Sequence, residues 1–277
     1  MRRWHMWVLA AAFGVAYVAL YVGAVLTPLG QSIDAGSLSV LGPLRGEAWL
    51  AVYDGRDLIL AALLGTAAVA ALSVAFERNW KAPLMSAILI GVVAAVATSG
   101  KAFLPRPYHG DFAYAVNTYP SGHAALCLAA AVAIIWCAPR WFSRIVVVVL
   151  GALVLFVALA SVLSFAHRVS DSLGGILLTG AVSCVLVAIG RPEPRAISRA
   201  RSITMLVIGL VLAASMLSLA AVLGLFGEGD QRVQLEIAIV LSLLGSVAAV
   251  LVVQPSLRVP VHVGADAHRA VTSDGSR

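Results

Sequence analysis

The chain has 277 residues, of which 61% are hydrophobic and only 12% are charged, and its formal net charge is +6. Soluble domains carry about 25% charged residues, so this composition excludes an ordinary soluble protein and predicts an integral membrane protein. The positive charge does not indicate nucleic acid as a partner, because the sequence has no soluble basic face with interleaved aromatic residues. The three cysteines lie within apolar tracts and imply no disulfide framework.

Eight tracts are long and apolar enough for a membrane-spanning helix, which needs about 20 residues. They are residues 7–27, 57–76, 83–104, 122–138, 144–164, 171–190, 202–226 and 233–253. The first tract is too long for the core of a signal peptide, so we expect it to be retained. The pattern predicts an all-α, polytopic transmembrane helical bundle of about eight spans, with one membrane domain over 1–254 and a disordered cytoplasmic tail over 255–277.

The distribution of basic residues predicts the orientation. Short loops rich in Lys and Arg stay in the cytoplasm, and an N-terminus inside places 13 of the 19 basic residues on that side. We then expect both termini in the cytoplasm and Lys101, Arg106 and Arg168 on the extracytoplasmic side. The expected location of the protein is the plasma (inner) membrane. Anionic membrane lipids beside the inner loops account for the net charge. The sequence does not indicate an oligomeric state.

Residues 27–56 form the longest segment between two predicted spans. Trp49 and Tyr53 would share one face of a helix. An interfacial helix or lid and a plain connector both fit this segment.

Ionisable residues gather where apolar tracts begin or end. Pro120-Ser121-Gly122-His123 opens the fourth tract, and His167 and Asp171 open the sixth. The first turn of a helix has N–H groups without internal partners, which favours an anion. Histidine can act as a nucleophile or proton donor near neutral pH. With Lys101 and Arg106 upstream, and all three segments on one side of the membrane, the sequence predicts a phosphate site.

This ordered set resembles the type 2 phosphatidic acid phosphatase superfamily, which includes lipid phosphate phosphatases and polyprenyl-diphosphate phosphatases and is related to vanadium haloperoxidases. The resemblance covers roughly residues 57–190; it matches the PSGH motif in full and the His-x-x-x-Asp ending of the third motif. It implies a six-helix phosphatase-like core, to which 202–226 and 233–253 are extra spans. It also implies hydrolysis of a lipid phosphate or polyprenyl (di)phosphate at the extracytoplasmic face, without a metal or cofactor.

The resemblance implies a role for each site residue. His167 would be the nucleophile, forming a phosphohistidine, and Asp171 would hold its ring. His123 would protonate the leaving oxygen and then activate water. The implied phosphate-binding residues are Lys101, Arg106, Arg168, and Ser121 and Gly122 through their N–H groups.

The chain departs from the family pattern at two places. Four residues separate Lys101 from Arg106-Pro107, where the family has six, and Ser99 stands at the usual lysine position. On a helix this shift rotates the side chain by about 200°, so Lys101 reaches the site only if the helix ends or unwinds there, for which Gly100 is suited.

The arginine that opens the family's third motif is replaced by Ser161. Arg168 could take its place, although on a regular helix it would point about 100° away from His167.

Other interpretations remain open. The two departures also fit a catalytically weak membrane scaffold, and His123, His167 and Asp171 could form the proton relay of a transporter, although mid-span positions are almost wholly apolar. Taken singly, Asp171 could cap a helix and Arg168 could extend to lipid headgroups. The sequence does not distinguish polyprenyl diphosphate, polyprenyl phosphosugar, phosphatidate or phosphatidylglycerophosphate as the substrate.

Overall fold

The structure, a computed structural model, describes residues 3–40, 47–77, 80–107, 109, 116–137, 144–190 and 228–254. These residues contain eight α-helices and no strand, which confirms the all-α prediction. The helices are α1 Arg3–Leu20, α2 Pro28–Val40, α3 Glu47–Phe76, α4 Lys81–Phe103, α5 Gly122–Cys137, α6 Arg144–Leu163, α7 Val169–Gly190 and α8 Glu228–Val252. A π-helical turn, Tyr21–Val25, continues α1.

Five helical segments are long and apolar enough to cross a membrane, and they indicate a membrane protein. They are Arg3–Val25, Gly55–Phe76, Lys81–Phe103, Ile145–Leu163 and Val169–Gly190. Two further predicted tracts appear as the shorter apolar helices Gly122–Cys137 and Leu235–Leu251. The tract 202–226 and the predicted tail 255–277 lie outside the described residues.

Helix α5 lies at the centre of the bundle, in contact with α3, α4, α6 and α7. It is buried on all sides from Ala124 to Cys137, apart from a partly buried Leu126. Its many alanines let neighbouring backbones approach closely, which is how helices pack where water provides no hydrophobic driving force. The three cysteines are buried and form no disulfide, as expected for core packing.

Long-range contacts establish which helix ends lie together. An Arg3 guanidinium N–H donates to the carbonyl of Ile189, joining the start of α1 to the end of α7. Gln254, just after α8, accepts from the indole N–H of Trp136 and donates to Ser183. At the opposite end of the bundle, α3, α5 and α7 begin and α1, α4 and α6 end; we call this the site end.

The described part of the segment 27–56 is helical from Pro28 to Val40 and from Glu47 onward, and residues 41–46 lie outside the described residues. Helix α2 follows the π-turn, and α3 begins at Glu47. The side-chain amide of Gln31 donates to the carbonyls of Val25 and Pro107, so α2 is attached to the loop after α4. Helix α2 therefore lies against the site end.

Candidate active site

The turn that opens α5 is held directly against α7. The Ser121 N–H donates to the backbone carbonyl of Asp171 over 2.8 Å. A side chain at Gly175 would place its Cβ 2.5 Å from the Ser121 carbonyl oxygen, so only glycine permits this approach. Gly174 likewise leaves room for the ring of Tyr119. The two motifs recognised in the sequence are therefore neighbours. Because the Ser121 N–H is already donated, it is not available to a phosphate, and this part of the expectation is corrected in favour of Gly122.

The loop after α4 positions Arg106. Asn117 donates to the carbonyls of Gly100 and Leu104 at 3.2 and 3.0 Å, which attaches the loop to the end of α4. The Tyr21 hydroxyl donates to the carbonyl of Pro105, and Gln31 holds Pro107 on the other side. Arg106 is thus fixed through both of its neighbours in the chain.

Arg106 and Asp171 form the buried centre of the site. Arg106 Nη1 lies 3.5 Å from Asp171 Oδ1 and donates to the Thr118 hydroxyl at 3.0 Å. That hydroxyl donates to Asp171 Oδ2 at 2.6 Å. Both side chains are almost fully buried, at 3% and 0% exposed. Within the described residues, Arg106 Nε and Nη2 make no hydrogen bond. Because Nη2 is within ion-pair distance of the Asp34 carboxylate in α2, Nε is the donor left for a further acceptor.

His167 lies in the turn before α7, because that helix begins at Val169. The expectation that His167 opens the helix is therefore corrected: it precedes the first helical residue by two positions. The turn includes Phe165 in a left-handed conformation, with φ of 61°. His167 Nδ1 is 3.6 Å from Asp171 Oδ2, an ion-pair distance that is longer than a hydrogen bond. The same oxygen accepts the Arg168 N–H at 2.9 Å, so Asp171 also caps α7. Asp171 therefore both caps α7 and lies close to His167.

His123 contacts residues of α3 at the point where the apolar part of that helix, Gly55–Phe76, begins. Its Nε2 lies 2.6 Å from Asp57 Oδ1, and the Arg56 Nε is 3.4 Å from the same nitrogen. Nε2 can donate to Asp57 when it carries a proton and can accept the Arg56 N–H when it does not, so the two contacts suit the two protonation states of the ring. His123 and His167 are close enough to interact electrostatically.

Lys101 also lies at the site end of the bundle, in the last turn of α4. The helix stays regular through Gly100, so the expected unwinding at that residue does not occur; α4 instead ends at Phe103. A Cβ at Gly122 would be 3.8 Å from Lys101 Nζ. The ammonium thus lies beside the PSGH turn.

Arg168 is buried, with 1% of its surface exposed, and does not extend to headgroups. It precedes α7, so the angle expected for a regular helix does not apply. Ser161, at the family's arginine position, is fully buried and accepts the His167 N–H through its carbonyl. That Arg168 takes the role of the arginine that the family carries at position 161 stays a prediction.

Asp34 of α2 was not identified from the sequence. It accepts the Ser170 N–H at 3.1 Å and the Ser170 hydroxyl at 2.5 Å, and its Oδ2 lies 3.7 Å from Arg106 Nη2. Burial, assisted by the Asp171 carboxylate, raises the pKa of Asp34 to about 6, while the Ser170 bonds and Arg168 oppose the shift.

The structure brings together the sequence-predicted residues His123, His167, Asp171, Lys101, Arg106, Arg168, Ser121 and Gly122, within one end of the bundle. Sequence reasoning missed Asp34, Arg56, Asp57 and Thr118. Two signals for them were available in the sequence. Asp34 is an isolated carboxylate in the segment 27–56, and Arg56-Asp57 is a charged pair where the second apolar tract begins.

No group of three or more His, Cys, Asp or Glu side chains in the described part of the chain is arranged to hold a metal ion. Comparison with protein-family models, with curated proteins and with solved structures finds no match to this chain.

Proposed function

We propose that this chain is an integral membrane phosphatase that hydrolyses a lipid phosphate or polyprenyl (di)phosphate at the extracytoplasmic face through a phosphohistidine. The observation that carries the proposal is the meeting of His123, His167, Asp171 and Arg106 at one end of the bundle. Three chain segments supply these residues, and each lies where an apolar helix begins or ends. The type 2 phosphatidic acid phosphatase resemblance stands on the same residues.

The mechanism begins with His167. Asp171 lies on the Nδ1 side of the ring, which leaves Nε2 to attack phosphorus. The nitrogen–phosphorus bond forms as the bond to the leaving oxygen breaks, and His123 gives its proton to that oxygen. Water then attacks the phosphohistidine with His123 as the base, releasing phosphate and restoring His167. The loose Nδ1–Asp171 distance of 3.6 Å would shorten as positive charge develops on the ring.

The open donor of Arg106 would bind a phosphoryl oxygen. Buried, pre-oriented cations stabilise charge that develops in a transition state without further reorganisation. Thr118 and Asp171 hold Arg106 Nη1, and Nη2 lies 3.7 Å from Asp34 Oδ2. Nε makes no hydrogen bond among the described residues, and it is the donor that would contact the anion. The N–H of Gly122, at the first position of α5, adds a neutral donor.

The proposed topology has eight spans with both termini in the cytoplasm. Arg3 and Lys81 begin α1 and α4 at the end opposite the site, in agreement with a cytoplasmic position for that end. The tract 202–226 would return the chain to the outer side before α8. Around the six-helix core, this span and α8 would be additions.

The test is phosphate release by the purified protein from a panel of lipid phosphates in mixed micelles. We expect turnover by the wild type and a loss of at least about a thousandfold in His167→Ala. Acid-labile, alkali-stable phosphate should be trapped on the protein in the wild type only. His109→Ala is the matched control, because His109 lies in the α4–α5 loop with Nε2 near the Leu26 carbonyl. Full activity of His167→Ala would contradict the proposal.

A further inference from the structure

Arg56 places a cation beside His123. Its guanidinium lies over the ring of Tyr53, 3.3 Å from the centroid, and its Nε is 3.4 Å from His123 Nε2. The side chain is 17% exposed, and Nη1 is buried without a hydrogen-bond partner among the described residues. Stacking on Tyr53 restricts the guanidinium to one orientation, so Arg56 is held beside the proposed proton donor.

The carboxylate of Asp57 occupies the position in front of these two groups. It is 2.6 Å from His123 Nε2 and 3.7 Å from Arg56 Nε, yet the side chain is 72% exposed. An exposed carboxylate can rotate into solvent at little cost, whereas the partly buried Arg56 and His123 remain. A negative group therefore already occupies the place where a leaving oxygen would receive its proton.

A second cation faces the same place. Lys101 Nζ lies beside the PSGH turn, and it is close enough to interact electrostatically with Asp171 and, less strongly, with Arg56. On the His167 side, by contrast, Arg106 is already accompanied by the carboxylates of Asp171 and Asp34. Arg56 therefore has one carboxylate beside it, the exposed Asp57, whereas Arg106 has two buried ones.

We propose that Arg56, together with Lys101, binds an anionic leaving group, so that the preferred substrate class is a lipid diphosphate rather than a lipid monophosphate. This inference rests on the proposed function. Hydrolysis of a monophosphate releases a neutral alcohol carrying an apolar tail, which gains nothing from two adjacent cations. Hydrolysis of a diphosphate at its terminal phosphorus releases a lipid monophosphate, whose charge these cations would stabilise as it develops.

The reaction balances without any further reactant. His167 Nε2 forms a bond to the terminal phosphorus, and the bond from that phosphorus to the bridging oxygen breaks. The bridging oxygen takes the His123 proton, in the position that the Asp57 carboxylate occupies in the structure. Arg56 and Lys101 contact the non-bridging oxygens of the departing lipid monophosphate. Water then hydrolyses the phosphohistidine to give inorganic phosphate.

The experiment compares kcat/KM for a diphosphate and a monophosphate that carry the same polyprenyl chain. In Arg56→Ala we expect kcat/KM for the diphosphate to fall about 10–100-fold. The ratio of diphosphate to monophosphate kcat/KM should fall at least about tenfold. Guanidinium ion in the assay should restore part of the diphosphate activity, which a merely structural role would not allow. Lys81→Ala, at the opposite end of the bundle, is the charge-matched control.

The outcomes separate this inference from the function it rests on. A wild type that hydrolyses neither lipid contradicts the proposed function itself. A wild type that is active, with the substrate ratio of Arg56→Ala unchanged within about threefold, overturns the role of Arg56. If Arg56→Ala does not fold, Arg56→Gln and Arg56→Lys take its place. The lysine variant should keep a higher ratio of diphosphate to monophosphate kcat/KM than the glutamine variant. Equal ratios in the two variants overturn the inference.

Discussion

The backbone N–H of Ser121 donates to the backbone carbonyl of Asp171, and this bond joins the turn that opens α5 to the first turn of α7. Both groups belong to rigid helix ends, so the relative position of His123 and Asp171 is set by the backbone. The close approach depends on Gly174 and Gly175, which present no side chain to Tyr119 and Ser121. Preorganisation of this kind lowers the reorganisation that a reaction requires.

Gly175→Ala should disrupt this junction. Its Cβ would lie 2.5 Å from the Ser121 carbonyl oxygen and 3.1 Å from the Ala125 nitrogen, both of which are backbone atoms that cannot rotate away. We expect a loss of about 1–3 kcal/mol in the free energy of unfolding, measured by thermal unfolding in detergent. Gly91→Ala on α4, which has nothing within 4 Å of its Cβ position, is the control. Equal unfolding temperatures for the two variants would contradict the packing argument.

The structure also shows how much of the site could be predicted from the sequence. The PSGH turn, His167 and Asp171 were identified because helix starts can be recognised from local signals such as Gly, Ser and the onset of an apolar tract. Lys101 was harder to place, because its direction depends on where α4 ends and not on the residue count alone. Its position beside Gly122 follows from a regular helix that ends at Phe103.

Residues from the segment 27–56 could not be predicted to contribute to the site. Asp34 meets Ser170 and Arg106 only because α2 folds back over the end of the bundle, which is a tertiary contact without a local signal. Arg56 and Asp57 were visible as charges at the mouth of an apolar tract, but their contact with His123 depends on how α3 packs against α5. Periodicity describes the faces of a helix and does not identify its neighbours.

Gln254 should stabilise the end of the bundle opposite the site. It is fully buried, accepts the Trp136 indole N–H at 3.0 Å and donates to Ser183 at 3.3 Å and to the Val250 carbonyl at 2.7 Å. Gln254→Ala leaves the indole N–H without its acceptor, so we expect a loss of about 1–3 kcal/mol.

The measurement is again thermal unfolding in detergent, and adding Trp136→Phe isolates the pair. In the Trp136→Phe background the indole donor is absent, so Gln254→Ala should cost less than in the wild type. Equal costs in both backgrounds would show that the hydrogen bond does not contribute to stability.

Asp34 should make stability depend on pH between about 4 and 6. Its pKa of about 6 in the folded chain lies above its ordinary 3.8, so the folded state binds more protons in this window. The contribution of Asp34 to the free energy of unfolding therefore falls as pH rises through the window, by up to about 3 kcal/mol. The charged and polar groups that face it are Arg106, Arg168, Asp171 and Ser170.

Asp34→Asn removes this titration while its amide oxygen can still accept the Ser170 N–H. Relative to the wild type, the variant should therefore gain unfolding temperature as pH rises from 4 to 7. Glu77→Gln, an exposed change at the opposite end of α3, serves as the control. A difference between Asp34→Asn and the wild type that does not vary with pH would contradict the assigned titration.

Lys101 should contribute to substrate binding even though it stands two residues away from the position that the family pattern gives to its lysine. Its ammonium lies beside Gly122 and interacts electrostatically with Asp171, which places it on the same face as both histidines. If the chain is a phosphatase, Lys101→Ala should raise KM and lower kcat/KM about 10–100-fold, because a hydrogen bond to a charged group is lost. Lys101→Arg should recover only part of that loss, since a planar fork does not reproduce a point charge. A Lys101→Ala enzyme with kinetics like those of Lys81→Ala would leave Arg56 and Arg106 as the principal cations.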